Sequence, residues 1–101
     1  MLGYLGYAYG RAGRREQASE MLATLERRER EHYVPPYFPA LVLSGLDETE
    51  RALDRLEQAY AGGDTMLRDL KADPHWDRLR DEPRFVALMA RMNYPEAPSA
   101  A

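Results

Sequence analysis

Four aspartates, Asp69, Asp73, Asp77 and Asp81, recur every four residues, and one of two histidines, His75, lies among them. Carboxylates at that spacing could share a proton for acid–base work or hold a hard cation. The neighbouring residues argue for a plainer role. Asp73 precedes Pro74, and Asp81 precedes Glu82-Pro83; acids placed so cap helices and turns. The calcium-loop pattern, with its central Gly and final Glu, is missing. His32 and His75 form no helical His-x-x-x-His pair, and a zinc site wants several ligands. They read as surface or boundary histidines. There is no cysteine, which removes thiolate ligands and disulfides. Neither a Gly-x-Ser-x-Gly elbow nor a Gly-x-x-x-x-Gly-Lys phosphate loop occurs. The expectation is a chain that is not an enzyme and takes no cofactor or metal.

One face suits binding better than catalysis. Tyr4, Tyr7 and Arg11 fall at i, i+3, i+7, on one side of a helix. Tyr and Arg are enriched at binding hot spots because they combine area with hydrogen bonds. The same tyrosines could instead pack against a further helix of the chain or of a twin subunit. Arg27-Arg28-Glu29-Arg30-Glu31 mixes signs and reads as a solvated face rather than a nucleic-acid patch.

With 101 residues and a net charge of −3, the chain has room for one domain and no basic arm, so nucleic acid is not an expected partner. It has no run long and apolar enough to span a bilayer and no secretory leader, so a cytoplasmic location is expected. Lys71 is the sole lysine, a usage that suggests a GC-rich bacterial genome.

Helix signals dominate. Leu2, Leu5, Gly6 and Tyr9 share a face of a first helix over 2–12, which Gly13 ends. A second helix runs from about Arg14 to His32, with Ala18, Met21, Leu22 and Leu25 inward and Glu26/Arg30 and Arg27/Glu31 paired outside. Gly3, Gly6, Gly10 and Gly13 read as close-packing sites and a terminus. A third helix follows Pro35-Pro36 and carries Ala40, Leu41 and Leu43. Asp47-x-x-Glu50 reads as a capping box for a fourth, with Ala52, Leu53, Leu56 and Ala59 inward and Gly62-Gly63 ending it. Asp64 caps a short fifth with Met66, Leu67 and Leu70. A turn at Asp73-Pro74 leads to Trp76, Leu79 and a last helix from Asp81-Glu82-Pro83, with Phe85, Leu88, Met89 and Met92 inward. Residues 94–101 read as a frayed tail.

The helices repeat. Tyr9 and Leu43, Ala18 and Ala52, and Leu22 and Leu56 are each 34 residues apart. Leu2-x-x-Leu5-Gly6-x-x-Tyr9 with Ala18-x-x-x-Leu22 resembles the tetratricopeptide repeat, a helix-turn-helix unit of that length. Asp73-Pro-His-Trp76-Asp-x-Leu79-x-Asp-Glu-Pro-x-Phe85 is similar to the end-cap segment of bacterial arrays of that family. Leu2 and Pro36 stand where the family prefers Trp, Asp47 where it prefers Gly, and Arg30 and Asp64 where it closes on Pro. The resemblance implies an all-α, right-handed helical-hairpin repeat (a TPR-like α-solenoid) of five to six helices over 1–93. Units would span 1–31 and 33–61, capped by 64–93, with Trp76 and Phe85 closing the array against the fourth helix.

It also implies a non-catalytic protein–protein interaction module or scaffold, the terminal part of a bacterial regulatory assembly. In such arrays the first helix of each unit lines a groove, which places Tyr4, Tyr7, Tyr37 and Leu41 on its wall. The family's basic clamp for chaperone tails is not visible, since Gly3, Tyr7 and Tyr37 stand where its Lys and Asn would be. The alternatives are a small-ligand or peptide sensor in the Tyr-lined groove, and an enzyme using residues 69–82. The first helix carries no charge before Arg11 and is apolar nearly all round, so a homodimer is expected, with Tyr4, Tyr7 and Ala8 central and Arg11 at the rim.

Overall fold

A computed structural model describes residues 2–92. These form five α-helices and two 3₁₀ segments: α1 (Leu2–Arg11), α2 (Arg15–Glu29), α3 (Tyr37–Gly45), α4 (Thr49–Ala61), the 3₁₀ segments Thr65–Asp69 and Pro74–Leu79, and α5 (Pro83–Met92). No strand occurs among the described residues. The end of the expected domain at residue 93 and the expected tail at 94–101 lie outside them.

The helix α3 is the centre of the molecule. It is apolar all round, and all its residues but Phe38 are buried, the condition for a helix covered on every side. It packs on α1, α2, α4 and the second 3₁₀ segment. Its contact with α1 is very close. A Cβ built on Gly6 would lie 2.6 Å from a Val42 methyl, and one on Gly10 would lie 2.5 Å from the carbonyl carbon of Gly45. Gly3, Gly6 and Gly10 therefore form the ridge that meets Phe38, Val42 and Gly45 in turn. Both series ascend together, so α1 and α3 run side by side in one direction. The expected inward face of α1 is corrected by this arrangement. Gly3 and Gly6 are its buried residues, Leu2 and Tyr9 are half-buried, and Leu5 is 44 % exposed. The glycines allow backbone to approach backbone, which rotates Leu5 away from the core.

Three chain reversals use one device. After α1, the Arg14 N–H donates to the Tyr9 carbonyl and Gly13 N–H to Gly10. After α3, Glu48 donates to Leu43 and Asp47 to Ser44; after α4, Asp64 donates to Ala59 and Gly63 to Tyr60. Such paired bonds need a left-handed residue just past the helix, and Gly13, Asp47 and Gly63 have φ of 81°, 64° and 75°. Asp47 thus closes α3. It does not cap α4, whose N-cap is Glu48 without a side-chain bond, so the expected capping box is absent.

Of the positions 34 residues apart, Gly6 and Ala40, Ala18 and Ala52, Leu22 and Leu56, and Leu25 and Ala59 are buried alike, whereas Tyr9 is half-buried and Leu43 buried, and Leu5 is exposed and Pro39 buried. On the outside of α2 the expected pairs along the helix are replaced by bonds across to α4, where Arg55 meets Glu29 at 2.7 Å and Glu26 at 3.4 Å. Arg84 fastens α5 to α4 through Glu50, Asp54 and Glu57 at 2.7–2.8 Å. Phe85 and Leu88 are buried. The indole of Trp76 is buried, with its ring centroid 5.4 Å from that of Tyr37 on α3.

Candidate functional site

The second 3₁₀ segment brings chemistry to the aromatic side of α1 and α3. Asp73 starts it with extended backbone, and Pro74 takes the first helical position, where a missing N–H costs nothing. The Asp73 Oδ1 accepts the His75 backbone N–H at 2.9 Å and lies 2.5 Å from His75 Nδ1. Its Oδ2 accepts the Tyr37 hydroxyl at 2.6 Å, and the Tyr37 oxygen accepts the Trp76 indole N–H at 3.0 Å. Arg80 reaches back to donate to the Asp73 carbonyl at 2.6 Å. One carboxylate thus fixes a core tyrosine, the turn and an imidazole.

Burial pushes the Asp73 carboxyl up, but hydrogen bonds from Tyr37 and from the His75 backbone and ring outweigh it and hold it below the usual range. Burial, and then its bond to Asp73, raise the Tyr37 hydroxyl far above that of a free tyrosine. Burial also raises Tyr4, aided by the charges of Asp73 and Asp69 and opposed by its bond with Tyr37. Since a carboxylate only accepts, His75 Nδ1 is the donor to Asp73. The imidazole is part-exposed. It stands edge-on between Tyr4, at 5.0 Å, and Tyr7, at 4.7 Å. Tyr4 also meets Phe38 edge-on at 6.4 Å.

The residues expected to bind a partner separate into three groups. Tyr4 and Tyr7 are half-buried and come together over His75. Ala8 and Arg11 are exposed, and Arg11 pairs with Asp47 at 3.1 Å, as Arg78 does at 2.5 Å. Tyr37 and Leu41 have no exposed surface; they are core residues and no groove wall. The cause is the 3₁₀ segment laid over α3. Of the four aspartates, Asp77 pairs with Arg80 at 2.9 Å and Asp73 is enclosed as described. No group of three or more metal-ligating side chains gathers among the described residues. Sequence reasoning missed the role of His75. The signal was present in Asp73-Pro-His, because an N-cap Asp two residues before a His can reach both its backbone and its ring.

An open cleft between Tyr60, Asp64, Arg68 and Met92 holds no comparable cluster, and Asp64 there is occupied by the Met66 and Tyr37 amides. Among the described residues no helix is long and apolar enough to cross a membrane. No protein-family model, curated protein or solved structure matches this chain.

Proposed function

We propose that the chain is a non-catalytic protein-interaction module made of two tetratricopeptide-like helix pairs and a closing segment, with its binding face at Tyr4, Tyr7 and His75. The observation that carries this is the repetition of burial in the 34-residue register, Ala18 with Ala52 and Leu22 with Leu56. With it goes the seating of α3 against both helices of the first pair. A stacked repeat has an extended surface and no enclosed reaction chamber, which suits it to partners. The aromatic face supplies rings and hydrogen-bonding groups on the open side of that stack.

The test is photo-crosslinking in an extract of the source cell. A photoreactive phenylalanine analogue at position 7 is expected to capture a discrete protein, and the same group at exposed Glu20 on α2 is not. Identical products from both positions would refute the face.

Self-association through α1 is a second reading. Leu5 is 44 % exposed, and Ala8 and Ala12 continue that stripe in the open. Its centre is then Leu5 and Ala8, the exposed apolar residues of α1. Light scattering decides it: a monomer at high micromolar concentration ends the dimer without touching the binding face.

A further inference from the structure

We propose that the seam between α1 and the second 3₁₀ segment takes a partner peptide by an acidic side chain, aspartate or glutamate, lying two or three residues from an apolar one. This rests on the interaction-module reading and names what the module binds. The seam is bridged at two places. Tyr4 and Tyr7 stand edge-on to His75 at 5.0 and 4.7 Å, and Arg11 and Arg78 both meet Asp47, at 3.1 and 2.5 Å. Arg11 lies about one helical turn beyond Tyr7 on α1. His75 and Arg78, three residues apart, eclipse along the 3₁₀ segment. Rings and guanidinium groups therefore follow one another along a single strip.

The cationic end carries a surplus. Two guanidinium groups share the one Asp47 carboxylate, and the next charges cancel, since Arg15 pairs with Glu48 at 3.8 Å. Asp77 is taken by Arg80. The bond from Arg78 and the charges of both arginines hold the Asp47 carboxyl below its usual range, as they should where positive charge prevails. Arg11 and Arg78 keep 37 % and 48 % of their side-chain surface exposed, and a guanidinium has N–H groups to spare for a second acceptor. The other end offers half-buried rings, and its acid, Asp73, is enclosed by Tyr37 and His75. A carboxylate is thus drawn to the arginines and an apolar side chain to the rings. From midway between Tyr4 and Tyr7 to Arg11 is about 8 Å along α1, a span that an extended peptide covers in two or three residues. A basic peptide would meet like charge at this end, and charge complementarity selects the partner and steers its approach.

The experiment is to pan a random heptapeptide library, displayed without a free C-terminus, on the full chain and then titrate the leading peptide by calorimetry. Peptides with Asp or Glu at one fixed place, two or three residues from an aromatic or aliphatic one, are expected. Replacing that acid by its amide should weaken binding roughly three- to ten-fold, the range of two part-exposed ion pairs. Arg78→Gln should weaken it roughly two- to five-fold. Asp47→Asn should tighten it by a similar factor, because both arginines are released. Asn also accepts the left-handed backbone of this position, where φ is 64°. A merely structural role for the cluster would not make binding tighter when Asp47 is neutralised. Circular dichroism checks that both variants remain folded. Enrichment of peptides without an acid, or indifference to Arg78→Gln and Asp47→Asn together, overturns the acidic-peptide inference and leaves the module reading intact. If inorganic phosphate competes as well as the peptide, the arginines hold a free anion and the peptide assignment is overturned. No enrichment of any peptide overturns the inference too, and the module reading is then decided by the crosslink at position 7.

Discussion

The α1–α3 contact can be tested with three Gly→Ala substitutions that physical reasoning separates. In Gly10→Ala the new methyl would lie 2.5 Å from the Gly45 carbonyl carbon, 2.6 Å from its oxygen and 2.9 Å from the Leu46 nitrogen. All three are backbone atoms, so no rotamer change relieves the clash, and the helices must part. Overpacking of this kind costs about 1–3 kcal/mol, and backbone opposition puts it at the upper end. Against it stands a helix-propensity gain of about 1 kcal/mol for Ala over Gly. The expected net loss is about 1–2 kcal/mol, a fall in Tm of roughly 5–15 °C for a domain of this size. Gly62→Ala is the control. Its methyl would approach nothing closer than 3.5 Å, and φ is −89°, so it should be neutral or stabilise by up to about 1 kcal/mol. Gly13→Ala isolates the backbone, because space is open there but φ is +81°; a loss of about 1–2 kcal/mol is expected. The assay is thermal unfolding by circular dichroism with urea midpoints as a check. If Gly10→Ala matches or exceeds the parent, as Gly62→Ala should, the glycine ridge between α1 and α3 is wrong.

Stability measurements of the same kind, with pH and salt varied where stated, test four further points. Ala52→Leu places a larger side chain at a fully buried contact and should cost about 1–3 kcal/mol; a parent-like Tm would count against the repeated helix pairing. Tyr37→Phe leaves the Trp76 N–H without its acceptor and Asp73 Oδ2 without its donor, so a loss of about 2–3 kcal/mol is expected. Asp73 also predicts a pH response. Its folded pKa is depressed, so its contribution is present above the unfolded carboxyl value of about 3.9 and is lost as pH falls through the folded value. Tyr37→Phe should flatten that acid limb, and an unchanged acid titration of stability would remove Asp73 from the account. Arg84→Gln removes the cation shared by Glu50, Asp54 and Glu57 and leaves three like charges on α4. A loss of about 1 kcal/mol that shrinks in high salt is expected; no salt dependence would refute the electrostatic clamp.

The helices were legible because their periodicity and stop signals are local. Gly13, Gly63 and the caps at Asp64 and Asp73 act within a few residues of themselves, and the structure places them as the sequence predicts. Asp47 was ambiguous for a physical reason. An Asp before a helix can cap it or can close the preceding one in the left-handed conformation, and only the spacing between α3 and α4 decides. The inward face of α1 was misjudged because hydrophobicity ranks Leu5 above Gly6, whereas close helix crossing favours the residue without a side chain. The fate of Tyr37 depended on a segment some 36 residues away, the separation of its bond to Asp73. No local pattern reveals that a hydroxyl in an apolar helix has a partner so distant in the chain.

That distant bond joins the fold to the site. A buried hydroxyl is costly unless paired, and at position 37 an apolar ring would fill the same space. The hydroxyl lies between the Trp76 indole and Asp73, and Asp73 would otherwise be a buried charge in want of donors. Pairing makes the carboxylate tolerable in the interior, and the carboxylate in turn fixes the imidazole at the surface. A 3₁₀ segment has poor internal hydrogen bonds and holds its side chains weakly by itself. Here it is anchored by a fully buried indole and by a carboxylate with three donors, so its histidine stays between Tyr4 and Tyr7. The residues that make the core polar at this point are therefore the ones that hold the histidine of the proposed binding face, and loosening them at Tyr37 should weaken stability and, if the proposal holds, partner affinity together.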